Sequence, residues 1–363
     1  MRTPLEPGRF FLPGPTEVHP DVLAAQTGQM IGHRGRAIHE LMATIAAGLA
    51  PVFQTRRPVV VSTSSATGLM EAAVRNGVSQ GGLVLSLVNG AFSARFAEIA
   101  RGCGRQVEVW DVPWGGVHSP EELADRLRRG SHQAVTLSHS ETSTGALQPL
   151  EALAAVAASH RGTLLLVDSV TGIGGVETLT DEWGLDFVLT GSQKALALPP
   201  GLAFGVASEE MMERAVTISD RGWYFDLERL VFDLARNQTP ATPALTLLYA
   251  LEAQLERVHQ EGVEARWKRH AAMLERTVGW VAEMSDAGHH VEMLATEGQR
   301  SPTVSCLRVE DPPGVVRRMM DRGWVIGGGY GRLRDETIRI GHMGDHTVDE
   351  LDGLLGVLTE VIS

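Results

Sequence analysis

The sequence contains only two cysteines, Cys103 and Cys306, among its 363 residues. Two cysteines cannot form the disulfide framework of a small secreted protein, so a reducing, cytoplasmic location is expected. The N-terminal segment MRTPLEPGRF lacks the basic stretch followed by an apolar run that marks a secretory signal. No stretch approaches the roughly 18 uncharged apolar residues that a membrane-spanning helix requires, so no membrane partner is expected.

Positive charge is also scarce, because 32 lysines and arginines face 44 aspartates and glutamates, a net charge of -12. A nucleic-acid partner is not expected, since the chain offers no basic face to neutralise phosphates. The histidines have no metal-ligand spacing, so no metal site is predicted. The length and the 43% apolar content fit a globular protein with one large and one smaller domain.

Short apolar runs alternate with helix-like patterns over the first two thirds of the chain. The strand candidates are Val59–Ser62, Gly82–Val88, Gln106–Asp111, Ala134–Ser138, Thr163–Asp168, Phe187–Ser192 and Ala203–Ser208. The helix candidates between them are Thr67–Asn76, Ala91–Arg101, Pro120–Arg128 and Leu150–His160. Near-continuous apolar strands that alternate with helices predict an α/β fold whose mostly parallel sheet lies between helices.

The remaining third predicts a different arrangement. A long helical pattern covers residues 242–276, with a break near Gly262, and the segments PTVSCLRV and TIRIGH flank the helical PGVVRRMMDRG. We therefore predict an N-terminal arm at 1–20, a large domain at 21–262 and a small C-terminal α/β domain at 263–363. The proline- and glycine-rich arm is expected to pack on little of its own chain.

An acidic and a basic residue follow two consecutive strand candidates. Asp168 ends the strand of LLLVDSV, and Lys194 comes just past the next strand in FVLTGSQKALALPPG. The two residues could form an ion pair that only stabilises the fold. They are also the pair that pyridoxal 5'-phosphate (PLP) chemistry needs: the lysine amine forms a Schiff base, and the acid keeps the pyridine nitrogen protonated.

A small-residue turn precedes the first helix of this region. In STSSATGLMEAAV, the residues Ser65, Ala66 and Thr67 follow a strand and open a helix, where free backbone N–H groups favour an anion such as a phosphate. Ordinary helix capping by a serine or threonine is the alternative.

Two further segments follow strand candidates that end at the same edge of the predicted sheet as the strand before Lys194. Phe92 in VNGAFSARF can lie flat on a planar cofactor, or it can be an ordinary core residue. The hydroxyls of Ser143 and Thr144 in SETSTGALQPL suit a cofactor ring oxygen or a substrate, or they only shape a turn.

Arg339 stands between two isoleucines in TIRIGHMGD, on a strand of the small domain. A guanidinium is the natural clamp for a substrate α-carboxylate, because its fork matches two oxygens. An ion pair with Glu336 or Asp345 is the structural alternative.

With these residues in place, the chain resembles class V, fold-type I PLP aminotransferases, especially the alanine–glyoxylate and serine–glyoxylate (serine–pyruvate) group. The likeness extends from LPGPTEVHPDVL near the N-terminus to RIGHMG near the C-terminus. Its most specific part is VDSV followed by GSQKALALPPG. The resemblance implies ping-pong transfer of an amino group from alanine or serine to glyoxylate or pyruvate, with PLP as cofactor.

The same resemblance assigns roles to residues. Lys194 carries the cofactor as a Schiff base and is the catalytic base, and Asp168 pairs with the pyridine nitrogen. The other implied cofactor contacts are Ser65, Ala66, Thr67, Phe92, Ser143, Val170 and Gln193. Thr242, with Thr239, matches the segment that reaches the phosphate of the partner subunit, so a homodimer is expected. Arg339, Gly14 and Ser143 are the implied substrate contacts.

Several departures and rivals stay open at this point. STSSATG is less glycine-rich than many relatives, and Thr239 stands where some glyoxylate enzymes have a phosphate-binding tyrosine. Other class V enzymes, such as pyridoxamine–pyruvate transaminases and lyases, remain alternatives. A desulfurase is disfavoured, because Cys306 lies in a strand-like run. A dinucleotide-dependent oxidoreductase would lack the lysine-bound chromophore, and a non-catalytic module would have lost Lys194 or Asp168.

Overall fold

The computed structural model describes residues 6–363. Its strands are β1 (Phe10–Phe11), β2 (Val59–Ser62), β3 (Leu83–Val88), β4 (Gln106–Asp111), β5 (Ala134–Ser138), β6 (Ser140–Glu141), β7 (Ala146–Leu147), β8 (Leu164–Asp168), β9 (Phe187–Gly191), β10 (Ala203–Ala207), β11 (Val291–Met293), β12 (Ser305–Val309), β13 (Val325–Gly328) and β14 (Thr337–Ile340). Its α-helices are α1 (Pro20–Ala25), α2 (Arg36–Val52), α3 (Ala66–Gly77), α4 (Ala91–Gly102), α5 (Pro120–Arg129), α6 (Leu150–Ala158), α7 (Glu209–Thr217), α8 (Leu227–Leu234), α9 (Leu245–Glu261), α10 (Val263–Asp286), α11 (Pro312–Asp321) and α12 (Val348–Ile362).

Seven strands form the large sheet in the order β2-β10-β9-β8-β5-β3-β4. All neighbours are parallel except β10, which is antiparallel to both β2 and β9. The apolar runs of β2, β5, β8 and β9 are buried along their whole length, as expected for strands covered on both faces. The predicted mostly parallel sheet between helices is confirmed, and its parallel strands end at one shared edge.

The small sheet has the order β1-β13-β14-β12-β11. Its apolar side packs against α10, α11 and α12, with Trp280 and Leu354 among the buried residues. β1 belongs to the N-terminal arm, pairs with β13 in parallel and buries Phe11 completely. The expectation that the arm packs on little of its own chain is therefore wrong. A two-residue strand has no periodicity that a sequence pattern could reveal.

The helices α9 and α10 meet at Gly262, whose φ of +87° is easily reached only by glycine. The break expected near this residue is present, and the domain boundary predicted at residue 262 stays a prediction. Within residues 6–363, every helix is too short or too polar to cross a lipid bilayer.

Candidate active site

Lys194 lies in the turn after β9, and its side chain is almost fully buried. Its Nζ donates a hydrogen bond to the carbonyl oxygen of Pro13, in the N-terminal arm. The next residue, Gly14, packs directly on the lysine, because a Cβ at this position would lie 2.5 Å from Nζ. Gly14 also has a φ of +102°, so both space and conformation require glycine there. The arm thus covers the lysine.

Asp168 ends β8 and is buried beside the lysine turn. One carboxylate oxygen accepts from Ser138 Oγ at 3.0 Å, and the other accepts from the Val170 backbone N–H at 2.9 Å. Burial raises the pKa of Asp168 to about 6, although both hydrogen bonds favour the charged form. In the part of the chain that the structure describes, Asp168 forms no ion pair with Lys194, so the purely structural alternative is not observed.

Burial lowers the pKa of the Lys194 amine to about 7, and the positive charge of Arg339 adds to this effect. Asp168 opposes the shift without reversing it. A lysine with this pKa has a large neutral fraction near pH 7, which a nucleophile and a proton carrier both require.

Arg339 lies on β14 between β12 and β13, and its guanidinium reaches Thr142, the residue after β6. Nε donates to the Gly328 carbonyl at 2.9 Å, and Nη1 donates to the Thr142 carbonyl at 3.3 Å. Both predicted structural partners are engaged elsewhere, since Glu336 pairs with Arg308 and Asp345 pairs with Arg266. Among residues 6–363, no carboxylate forms an ion pair with Arg339. The buried guanidinium is therefore fixed in place and available to an anion.

Phe92 lies in the first turn of α4, and its ring is half-buried instead of lying in the main apolar core. Lys194 Nζ is 5.7 Å from the centre of this ring. The aromatic face thus stands beside the lysine, where a planar cofactor bound to Lys194 would lie.

The turn before α3 fits a phosphate. Ser65 is the residue before the first helical turn, yet its hydroxyl makes no capping hydrogen bond, so the capping alternative is not observed. The first N–H groups of a helix, here those of Ala66 and Thr67, have no intrahelical acceptor. The Gln193 side chain lies at the same place, since a Cβ on Gly191 would lie 2.9 Å from Gln193 Oε1 and 3.3 Å from Ala66 Cβ. Together with the covered lysine and Asp168, these groups match the donor set that PLP needs.

Ser143 lies at the same edge of the large sheet, but its hydroxyl already has hydrogen-bond partners within the protein. Its hydroxyl donates to Glu141 Oε1 at 2.6 Å and accepts from the Ala91 backbone N–H at 2.9 Å. It can therefore offer a cofactor or substrate only a lone pair. Thr144, also predicted, accepts from the Ala146 N–H within its own turn.

Glu141 was missed by sequence reasoning, although it stands two residues before Ser143. It is completely buried and accepts hydrogen bonds from the backbone N–H groups of Phe92 and Ser93. The only sequence signal was an acidic residue in a polar loop, which is ordinarily a solvated residue. Its position makes Glu141 the anion that holds the N-terminus of α4, and with it Phe92.

Within one chain, Thr239 and Thr242 do not line the same site as Lys194. They line a separate pocket with Ser62, Thr63 and Tyr224. The Thr239 hydroxyl donates to the Ala241 carbonyl at 2.7 Å, and Thr242 is exposed. Their predicted contact requires a partner subunit, so it stays a prediction.

Comparisons with known proteins bear on this geometry. The sequence profile described as aminotransferase class-V matches residues 19–310. A relative from Synechococcus sp., named soluble hydrogenase small subunit, is 34% identical over 92% of this chain and 88% of its own length. The serine–glyoxylate aminotransferase of Arabidopsis thaliana is 32% identical over 98% of this chain and 90% of its own length. A solved structure from Nostoc sp., named alanine–glyoxylate aminotransferase, has a TM-score of 0.91 at 33% identity and covers 100% of this chain and 98% of its own.

Proposed function

The chain belongs to the class V aminotransferases, a PLP-dependent family with the fold-type I architecture, and we propose that it acts on small amino acids. In this proposal an amino group moves from alanine or serine to glyoxylate or pyruvate by a ping-pong mechanism. The observation that carries the proposal is a buried lysine and a buried arginine, Lys194 and Arg339, that face one cleft without a carboxylate partner among the described residues.

PLP, when bound, supplies the ring that withdraws electrons from the substrate α-carbon. We propose that Lys194 holds the cofactor and then moves a proton from and to that carbon, a role that its pKa of about 7 suits. Asp168 would keep the ring nitrogen protonated. Ser65, Ala66, Thr67 and Gln193 would hold the phosphate, Phe92 and Val170 would flank the ring, and Ser143 would contribute its lone pair.

Arg339 would bind the α-carboxylate of each substrate in turn, because the amino donor and the oxo acceptor both carry this group. Gly14 would line the entrance beside Lys194. The serine–glyoxylate and alanine–glyoxylate names of the relatives support small donors and glyoxylate as acceptor. We further propose that Thr239 and Thr242 reach the phosphate of a partner subunit in a homodimer.

A cysteine desulfurase would need a mobile, reactive thiolate. Cys306 is instead buried in β12 directly opposite Arg339, and burial raises its pKa to about 11. The thiol is therefore inert, as the sequence pattern indicated.

The test is a panel of amino donors against glyoxylate and pyruvate, with two lysine variants. Lys194 and Lys268 are the only lysines in the sequence, so each is the natural control for the other. We expect yellow protein, turnover with alanine or serine, and no measurable turnover for Lys194→Ala. Lys268→Ala, at an exposed site, should retain wild-type turnover.

Three results would contradict the proposal. They are turnover by Lys194→Ala, a borohydride-reduced cofactor adduct mapped to Lys268, and activity confined to free pyridoxamine or to an elimination reaction. The last result would select a pyridoxamine–pyruvate transaminase or a lyase instead.

A further inference from the structure

A loop of the small domain reaches across to the large domain at the mouth of the cleft. It follows β13 and carries Tyr330, whose hydroxyl accepts a hydrogen bond from Arg95 Nη2 at 3.0 Å. Two residues on, the Arg332 guanidinium lies over the ring of Trp114 at 4.8 Å. Arg95 and Trp114 both belong to the large domain, so the loop is docked on it through two separate contacts.

The Tyr330 ring lies between the two groups that define the substrate space. It stacks on the Phe92 ring, with centroids 5.4 Å apart and an interplanar angle of 18°. The guanidinium carbon of Arg339 is also 5.4 Å from the centre of the Tyr330 ring. Tyr330 is 38% exposed, so its ring is not part of an apolar core.

We propose that Tyr330 is the residue that limits the size of the substrate side chain. The inference rests on the proposed function, in which Arg339 holds the α-carboxylate and Lys194 works on the α-carbon. A substrate held at these two points has its side chain beside the Phe92–Tyr330 pair. A methyl or hydroxymethyl group fits there, whereas a branched or aromatic side chain must displace the Tyr330 ring.

Displacing that ring breaks its stacking on Phe92 and its hydrogen bond to Arg95 at the same time. Both contacts bridge the two domains, so a bulky substrate would also loosen the closed cleft. Discrimination of this kind depends on the ring as an obstacle, and the hydroxyl only anchors it. Tyr330→Phe keeps the ring and should therefore retain most of the discrimination between substrates, and Tyr330→Ala should lose it.

The experiment measures binding without turnover. Dissociation constants of propanoate, 4-methylpentanoate and 3-phenylpropanoate are determined for the wild-type holoenzyme and for the Tyr330→Ala and Tyr330→Phe variants. Because Tyr330 is partly exposed, we expect both variants to fold. We expect the wild type and Tyr330→Phe to prefer propanoate over 3-phenylpropanoate by at least about tenfold, and Tyr330→Ala to reduce this ratio below about threefold. The kcat/KM ratio of alanine to leucine should change in the same way.

An unchanged propanoate to 3-phenylpropanoate ratio in Tyr330→Ala, or no discrimination by the wild type, overturns the inference. If no carboxylate binds to the wild type, the Arg339 assignment fails and the inference fails with it. If carboxylates bind with the expected ratios but no amino donor is turned over, only the proposed function is overturned.

Discussion

At the scale of single residues, the cleft holds two buried basic side chains that form no ion pair among the described residues, although the charges of Asp168 and Glu141 act on them from a distance. Lys194 and Arg339 are both buried, and burial lowers the pKa of each side chain because it disfavours the charged form. A buried charge without a partner is costly, and natural proteins ordinarily pair it. Within residues 6–363, backbone carbonyls are the hydrogen-bond acceptors of both side chains. The site is therefore built to receive anions, and a phosphate-bearing cofactor and a carboxylate substrate supply them.

The titration of Lys194 should reflect this setting. In cofactor-free protein, we expect the amine to lose its proton with a midpoint near pH 7, as burial and Arg339 both disfavour the ammonium form. The neutral amine should thus dominate above this pH and the ammonium form below it. Because the chain has two lysines, carbon-13 labelling of lysine gives two Cε signals, and Lys194→Ala identifies which belongs to Lys194. A Lys194 midpoint near 10.4, the value of an ordinary lysine, would show that the cleft does not perturb it.

Arg339 should act on every substrate alike. Loss of a bidentate, charge-assisted clamp in Arg339→Ala should cost about 2–4 kcal/mol in kcat/KM for each amino and oxo acid, since all share the carboxylate. Arg339→Lys should recover little, because an ammonium keeps the charge without the fork.

The matched control for this prediction is Arg308→Ala. Arg308 lies on the neighbouring strand β12 and forms a half-exposed ion pair with Glu336. Its loss should cost less than about 1 kcal/mol of unfolding free energy and leave the kinetics unchanged. Kinetics of an Arg339 variant within about threefold of the wild type would refute the carboxylate assignment.

At the scale of elements, most strands of the large sheet were predictable because they are buried on both faces. A strand of this kind is a short apolar run between polar turns, so β2 and β5 begin and end at the predicted residues. Asp168 and Lys194 could be placed for the same reason, since Asp168 ends one such run and Lys194 lies in the turn after the next. β1 and the Tyr330 loop could not be predicted, because each is stabilised by contacts with residues far away in the sequence. Glu141 was missed for a related reason, because its hydrogen-bond donors on α4 lie 48 and 49 residues earlier in the sequence.

The first turn of α4 should depend on Glu141. Both of its carboxylate oxygens accept hydrogen bonds, including those from the N–H groups of Phe92 and Ser93, so each oxygen is needed as an acceptor. Glu141→Gln keeps the shape but replaces one acceptor with an amide donor and removes the charge that favours a helix N-terminus. We expect a loss of about 1–3 kcal/mol in the free energy of unfolding, measured by chemical denaturation.

Glu210→Gln is the control for this variant. Glu210 also lies in the first turn of a helix, α7, but its side chain is 53% exposed. Its replacement should change the free energy of unfolding by less than about 0.5 kcal/mol. Equal effects of the two variants would show that Glu141 is not the anchor of α4.

At the scale of the whole molecule, one face near Thr242 leaves large aromatic side chains in contact with solvent. The adjacent Trp223 and Tyr224 are 55% and 46% exposed in the single chain, and Tyr224 lines the pocket that contains Thr242. Clustered exposed aromatic residues mark protein–protein interfaces, where they provide most of the apolar area. The proposed homodimer would bury this face, with an interface above about 2,000 Å². It would also bring Thr242 to the phosphate site of the partner.

The last prediction tests this sharing by combining two inactive variants. In a twofold dimer, each site would combine Lys194 of one chain with Thr242 of the other. Lys194→Ala lacks the reactive amine, and Thr242→Glu places a negative charge against the phosphate. In a mixed dimer, both defects fall in one site and the other site is native. Randomly exchanged subunits should therefore recover about one quarter of wild-type activity, because half of the dimers are mixed and each has one native site. If Thr242 served its own chain, or if the protein were an active monomer of 39.1 kDa, the mixture would stay inactive.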